Sequence, residues 1–215
     1  MWIDPANTLS LIIKGLIVGM IASAPMGPVG VLVVQRTLNK GRWFGFVTGI
    51  GAAISDLIYA FITCLGMSIV MEFIQRPGYM LYLKIGGSLI LFLFGLYTYF
   101  AKPAPFRPPS KNKGTLAHNM LTGFLVTLGN PLIVLLFMVL FARFDFIIPE
   151  HYIERSLGGI AIALGALLWW FALTAAINRI RARFNRDTIM RINRVIGIAV
   201  MVSAVLGGFF TLFML

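Results

Sequence analysis

The chain has 215 residues, of which 59% are hydrophobic and 12% are charged, and its mean hydropathy is +0.91. Soluble domains carry about 25% charged residues, so this composition indicates an integral membrane protein without a separate soluble domain. The net charge of +11 does not indicate a nucleic-acid partner, because the basic residues gather in alternate loops between apolar segments. Cys64 is the single cysteine, which excludes a disulfide framework and a dithiol redox pair.

The first apolar segment, residues 9–38, is interrupted near its middle. A continuous helix of about 30 residues would be about 45 Å long, whereas the hydrocarbon core of a membrane is about 30 Å thick. Pro25, Gly27 and Pro28 lie inside this segment, where the prolines remove backbone donors and the glycine weakens the helix. We therefore expect two half-helices that meet inside the membrane, where protein or a water-filled cavity satisfies the free backbone groups.

The second apolar segment carries Asp56, the only acidic residue within any predicted span. An ionised aspartate at the centre of a membrane helix costs about 2.5–3.5 kcal/mol on insertion scales, so we expect Asp56 to face the interior of the bundle. One interpretation is a proton or cationic-substrate site, and the other is a carboxylate that only stabilises a helix break. Gly41, Gly45 and Gly49 recur at every fourth position, which predicts close helix packing, within the bundle in preference to a dimer face.

Lys84 is the only charged residue of the third apolar segment. Its long side chain can reach towards Asp56 or extend outwards to the interface, so an Asp56–Lys84 contact is a hypothesis. Residues 101–114 follow with four prolines and four basic residues, a composition that predicts an exposed linker.

A second interruption lies in the fourth apolar segment, at Asn130 and Pro131. Paired interruptions in corresponding segments of two halves are typical of a transporter's binding site, and we expect the two breaks to face each other. In the fifth segment, Trp169 and Trp170 are expected to face lipid or the membrane interface.

Six apolar segments are about long enough to span a membrane: 9–36, 43–69, 79–100, 118–142, 156–177 and 189–213. Thirteen of the 18 basic residues lie in the first, third and fifth loops, which predicts that these loops are cytoplasmic and both termini are outside. Because each half has three spans, the two halves would insert into the membrane in opposite orientations. A weak sequence match between residues 83–86 and 195–197 agrees with such an inverted repeat. We therefore predict an all-α membrane protein of two inverted three-helix repeats, 1–100 and 118–215, with a proline-rich basic linker at 101–117 and with spans 1 and 4 broken.

An ordered set of motifs runs along nearly the whole chain and is densest over residues 20–62. It comprises Pro25, Gly27, Pro28, Arg36, Gly41, Gly45, Gly49 and Asp56, then Leu83, Lys84 and Gly87, then Asn130 and Pro131, and finally Asn193 and Gly197. This set resembles the lysine exporter (LysE) superfamily of amino-acid exporters. The resemblance implies that the chain exports amino acids or similar small zwitterionic metabolites, driven by an ion gradient.

The predicted substrate and ion site consists of Pro25, Gly27, Pro28, Asp56, Lys84, Asn130 and Pro131. Half-helix N-termini suit a substrate carboxylate, whereas C-terminal ends and unwound carbonyls suit an ammonium group or a proton. Asp56 either binds the substrate's ammonium group or carries the coupling ion, which we expect to be a proton.

We expect a multi-pass protein of the bacterial inner (cytoplasmic) membrane that is not an enzyme and has no cofactor, no resident metal and no nucleic-acid partner. Its predicted partners are an amino-acid substrate, a coupling ion and the lipid bilayer, and a homodimer is left open. Two alternatives remain. A divalent-cation exporter of the same superfamily would need His, Asp or Glu clusters near the breaks, and a non-transporting membrane scaffold would need no polar site at all.

Overall fold

The computed structural model describes residues 5–25, 27–74, 79–101, 114–130, 132–144, 146, 152–179 and 186–213, and these residues form helices joined by short turns. The helices in chain order are α1 (Pro5–Ser23), α2 (Pro28–Lys40), α3 (Arg42–Ile74), α4 (Tyr79–Phe100), α5 (Leu116–Leu128), α6 (Leu132–Arg143), α7 (Tyr152–Arg179) and α8 (Arg186–Phe213). The predicted linker at 101–117 lies mostly outside the described residues, and α5 begins at Leu116.

Three of the helices contain stretches long and apolar enough to cross a membrane, namely Arg42–Gly66, Ser156–Arg179 and Asp187–Phe209. The pairs α1 with α2 and α5 with α6 qualify as broken spans, which gives three to five candidate spans. A shorter apolar helix, Ile85–Phe100, belongs to α4. The chain is therefore a multi-pass, all-helical membrane protein in the part that the structure describes.

Both predicted breaks are present. The chain bends by 80° between α1 and α2, where α1 ends at Ser23 and α2 begins at Pro28. Pro28 stands at the first helical position, where its missing N–H costs no hydrogen bond and its fixed φ suits the helix. The bend between α5 and α6 is 75°, with α5 ending at Leu128. In each case a break of four residues or fewer separates two apolar helices.

Glycines bring the helices into close contact in two matching pairs. Between α1 and α7, a side chain at Gly19 would collide with the Ile162 carbonyl, and one at Gly165 would collide with the Leu16 carbonyl. Between α5 and α3, a side chain at Gly123 would collide with the Thr48 carbonyl, and one at Gly51 would collide with the Met120 carbonyl. Small residues let backbones approach in this way, and they replace the hydrophobic driving force that is absent inside a membrane.

A third close pair joins α4 to α8 through Gly95 and Gly197. The two glycines face each other, because a Cβ on Gly95 would lie 2.9 Å from the Gly197 carbonyl oxygen and one on Gly197 would lie 2.7 Å from the Gly95 carbonyl oxygen. Met201 and Tyr99 flank this crossing on opposite sides, each against the other helix's glycine.

The glycine ridge at the start of α3 packs within the bundle, as predicted. Gly45 lies against Thr37 of α2, and Gly49 lies against the ring of Trp170 on α7. Gly41 ends α2 with a φ of 114°, a conformation that favours glycine and turns the chain into α3.

Two apolar clusters occupy the bundle. The α6 cluster contains more side chains from α6 than from any other helix and joins α6 to α1, α3, α4, α7 and α8, with members that include Leu11, Val18, Leu91, Leu136, Phe137, Leu140, Phe141 and Val200. The Trp170 cluster joins α2, α3, α7 and α8 and includes Val33, Val34, Ala52, Ala53, Trp170, Ile177 and Ile189. The breaks between the half-helices lie between these clusters.

Candidate substrate site at the two helix breaks

The two breaks line one cavity of about 450 Å³. Pro25, Gly27 and Pro28 contribute from the first break, and Gly129 and Asn130 contribute from the second. The prediction that the two breaks face each other is therefore confirmed for these residues. The volume of the cavity lies within the range of about 300–1,000 Å³ that is usual for small-molecule sites.

The cavity extends from the breaks along one side of the bundle. Tyr97, Thr98 and Ala101 line it at the end of α4, and Asn193 lines it near the beginning of α8. The α6 cluster borders the cavity through Leu136.

Asp56 faces this cavity from α3, as predicted, and its side chain is only 5% exposed. The hydroxyl of Ser23, the last residue of α1, donates a hydrogen bond to Asp56 Oδ2 over 3.1 Å. A carboxylate has about four acceptor sites on two oxygens, so this one bond leaves capacity for a cation or a proton. The arrangement places a buried acidic group at the C-terminal end of a half-helix.

Tyr59 connects α3 to the second break, and the sequence analysis did not single it out. Its hydroxyl donates a hydrogen bond to the carbonyl of Leu128, the last residue of α5. Residues three positions apart lie on the same face of a helix, so Asp56 and Tyr59 of α3 reach the ends of α1 and α5, respectively. The three-residue spacing of Asp56 and Tyr59 was the signal in the sequence that could have identified Tyr59.

Three buried polar atoms near the cavity have no hydrogen-bond partner among the described residues. They are Trp170 Nε1, Thr127 Oγ1 and Asn193 Oδ1, and all three residues line the cavity. Asn193 uses its Nδ2 group to donate to the carbonyl of Ala101 at 3.4 Å. Because buried polar groups are nearly always hydrogen-bonded, these atoms mark the cavity wall as a place for polar ligands.

The expectation that Trp170 faces lipid or the interface is wrong. Its side chain is 1% exposed, whereas that of Trp169 is partly buried. Gly49 of α3 lacks a side chain at the point where the indole ring packs, and this leaves the space that an inward tryptophan needs.

Arg36 is buried beside the site and holds α2 against two neighbouring helices. Its Nη1 donates to Thr48 Oγ1 of α3 at 2.8 Å and to the Asn119 carbonyl of α5 at 2.7 Å. Lys40, one turn further on, donates to Asn119 Oδ1 at 3.4 Å. These bonds fix the direction in which α2 leaves the first break.

Two predicted site residues lie wholly or partly outside the described residues. The backbone of Lys84 belongs to α4, but its side chain is not described, so the Asp56–Lys84 hypothesis is not tested. Pro131 of the second break also lies outside them. No group of three or more His, Cys, Asp or Glu residues suited to a metal ion occurs in the part of the chain that the structure describes.

Two half-helix breaks around one cavity that contains a buried carboxylate, inside an apolar helical bundle, are typical of a membrane transporter. The LysE type translocator family matches residues 20–210, and the chain belongs to this family. Members of this family are transporters and not enzymes.

A relative from Bacillus subtilis (strain 168), named "Putative amino acid efflux protein YcgF", is 23% identical over 198 residues. The alignment covers 90% of this chain and 93% of that protein. No solved structure matches the chain.

Proposed function

We propose that this protein is a secondary transporter that exports amino acids or related small zwitterionic metabolites across the bacterial inner membrane, driven by an ion gradient. The observation that carries the proposal is the shared cavity, which brings both helix breaks and Asp56 together inside an apolar bundle. A scaffold protein has no need of a buried carboxylate there, because such a group is costly in a membrane.

The ends of the half-helices supply the two kinds of group that a zwitterion needs. The N-termini of the half-helices α2 and α6 carry partial positive charge, which suits a carboxylate. Asp56 and the C-terminal end of α1 supply acceptors for an ammonium group or for a coupling proton. The name of the Bacillus subtilis relative is consistent with an amino-acid substrate.

The proposal includes six spans arranged as two inverted repeats, 1–100 and 118–215. In this arrangement α1–α2 and α5–α6 are the broken first spans of the two halves, α3 corresponds to α7, and α4 corresponds to α8. The matching glycine contacts of α1 with α7 and of α5 with α3 support it, as does the Gly95–Gly197 crossing.

The cavity's position fits an exporter that loads from the cytoplasm. With the odd loops inside and both termini outside, the end of α4 and the beginning of α8 lie on the cytoplasmic side. Ala101 and Asn193 then line the cytoplasmic mouth of the cavity, and the α6 cluster closes the outer side.

Counterflow in proteoliposomes tests the function. Wild-type protein, reconstituted with each of the twenty amino acids in turn inside the vesicles, should accumulate the labelled form of at least one of them. Asp56→Asn should lose gradient-driven transport, whereas Asp187→Asn, an exposed aspartate at the start of α8, should retain it.

Two results would contradict the proposal. Full gradient-driven transport by Asp56→Asn would exclude both roles of that carboxylate. Absence of counterflow with all twenty amino acids, in vesicles where the protein is correctly inserted, would exclude amino-acid transport.

A further inference from the structure

The close glycine contacts identify which residues of the two halves occupy equivalent positions around the cavity. Gly19 meets α7 as Gly123 meets α3, so these two glycines correspond. Gly51 and Gly165 correspond in the same way. The carbonyl groups that Gly51 and Gly165 meet agree with this correspondence. Gly51 meets Met120, which lies three residues before Gly123, and Gly165 meets Leu16, which lies three residues before Gly19.

Counting along each helix from these glycines reaches the cavity at two equivalent pairs. Four residues beyond Gly19 is Ser23, and four beyond Gly123 is Thr127. Five residues beyond Gly51 is Asp56, and five beyond Gly165 is Trp170. The Ser23–Asp56 pair of one half therefore corresponds to the Thr127–Trp170 pair of the other, and all four residues line the cavity.

The two pairs have opposite hydrogen-bonding character. Ser23 and Asp56 are bonded to each other and present a carboxylate, which accepts hydrogen bonds. In the second pair, Thr127 Oγ1 and Trp170 Nε1 are both buried, in residues that are 3% and 1% exposed, and neither atom has a hydrogen-bond partner among the described residues. An indole N–H can only donate, and a threonine hydroxyl can donate, so this pair suits an anionic acceptor.

We propose that Thr127 and Trp170 form the subsite for the substrate's carboxylate group, opposite the Ser23–Asp56 pair, which faces the ammonium group. The proposal rests on the proposed function and adds the orientation of the substrate. The N-terminus of α6, with its partial positive charge, lies at the same break as Thr127 and favours the same end of the substrate.

Along α3, the point at which Trp170 packs is separated from Asp56 by about the length of an α-amino acid with a hydrogen bond at each end. Trp170 packs on Gly49, which precedes Asp56 by seven residues on α3, or about 10 Å along the helix at 1.5 Å per residue. The ammonium and carboxylate groups of an α-amino acid are about 3 Å apart by standard bond lengths. A hydrogen bond of about 3 Å at each end brings the total to about 9 Å.

The other residues that line the cavity indicate what kind of side chain the substrate carries. It is mainly apolar and includes Val29, Phe94, Val126, Ile133 and Leu136. Asp56 is the only charged residue among the described residues that line the cavity. A charged substrate side chain would have no counter-charge there, so the substrate class is an amino acid with an uncharged, apolar side chain.

Calorimetric titration of the purified protein with three related compounds tests the subsite. L-leucine has both charged groups, 3-methylbutylamine lacks the carboxylate, and 4-methylpentanoate lacks the ammonium group. Trp170→Phe and Thr127→Val should each weaken the binding of L-leucine by about tenfold or more, since each removes a donor to a charged group. Both variants should bind 3-methylbutylamine within about twofold of the wild-type protein.

Trp169→Phe is the matched control. The indole N–H of Trp169 is also buried and has no partner in the part of the chain that the structure describes, but Trp169 is not among the described residues that line the cavity. This variant should bind all three compounds as the wild-type protein does. Unchanged binding of 3-methylbutylamine by Trp170→Phe also shows that the variant is correctly folded.

The outcomes separate this proposal from the proposed function. If wild-type protein binds L-leucine and both subsite variants bind it equally well, the carboxylate subsite is wrong although amino-acid binding stands. Equal loss of L-leucine and 3-methylbutylamine binding would also overturn it, because the defect would not follow the carboxylate. Counterflow of lysine or glutamate but not leucine would overturn the assigned substrate class and leave amino-acid export in place.

Discussion

Replacing Gly51 by alanine should destabilise the protein, because there is no space for a methyl group between α3 and α5. A Cβ at this position would collide with the Met120 carbonyl and lie 2.8 Å from the amide nitrogen of Phe124. These are backbone atoms, so no side-chain rotation relieves the contact, and the two helices have to separate. Overpacking of this kind costs about 1–3 kcal/mol.

The same substitution at Gly66, further along the same helix, should not lower the free energy of unfolding. A Cβ at Gly66 meets nothing within 4 Å. Alanine is favoured over glycine within a helix by about 0.5–1 kcal/mol, so Gly66→Ala should be neutral or stabilising. The difference between the two variants therefore isolates the close helix contact from helix propensity.

Thermal unfolding of the purified variants in one detergent measures this difference. For chains of 150–250 residues, each kcal/mol corresponds to about 2–4 °C in Tm, so Gly51→Ala should unfold about 2–12 °C below the wild-type protein. Gly165→Ala should fall by a similar amount, because it meets the Leu16 carbonyl of α1 in the equivalent contact. A Gly51→Ala protein as stable as Gly66→Ala would refute the contact between α3 and α5.

Two further substitutions test the polar contacts around the breaks. Arg36→Met should lower the free energy of unfolding by about 1.5–3 kcal/mol, because methionine cannot donate the hydrogen bonds that Arg36 Nη1 makes to Thr48 and Asn119. A Tm within about 1 °C of the wild-type value would contradict this role. Tyr59→Phe should lower the free energy of unfolding by about 1 kcal/mol, because it removes the hydrogen bond to the Leu128 carbonyl. The same unfolding assay measures this change, with Tyr97→Phe on α4 as a matched control. Equal stability of the two variants would contradict a stabilising role for the Tyr59–Leu128 bond.

The breaks and the inward position of Asp56 could be predicted from the sequence, because the physical causes are local. Proline has no N–H at any position of any helix, so Pro25 and Pro28 interrupt a long apolar segment whatever surrounds them. An ionised carboxylate in a membrane helix has the lowest free-energy cost when its side chain faces the interior of the bundle. Neither argument requires knowledge of which helices are neighbours.

The position of Trp170 could not be predicted in this way. An indole side chain suits both the membrane interface and a protein interior, and periodicity does not separate the two. The deciding feature is Gly49, more than a hundred positions away in the sequence, which makes room for the ring only because α3 packs on α7. The unpartnered atoms of Thr127 and Trp170 likewise become visible only when their surroundings are known.

The weak sequence match between the halves stays a prediction. It aligned Gly86 with Gly197 by residue similarity, whereas the structure shows a contact of Gly95 with Gly197, which is not an alignment. Short apolar segments contain too few distinctive residues to fix an alignment. Tyr59 was missed although it stands three residues from Asp56, because its partner is the main-chain carbonyl of Leu128, and the sequence does not show which carbonyl a side chain will reach.

The glycine contacts also determine which part of the bundle has freedom to move. Where a glycine lies against a carbonyl group, one helix can slide along the other only if the two backbones separate, and this applies to α1 with α7, α3 with α5 and α4 with α8. Among the described helices, α6 is the one that no glycine brings into backbone contact with a neighbour, and Gly129–Asn130 lie between the end of α5 and the beginning of α6. A swing of α6 about that hinge would draw Phe137 and Leu140 out of the interior and open a path past them to the opposite face of the membrane.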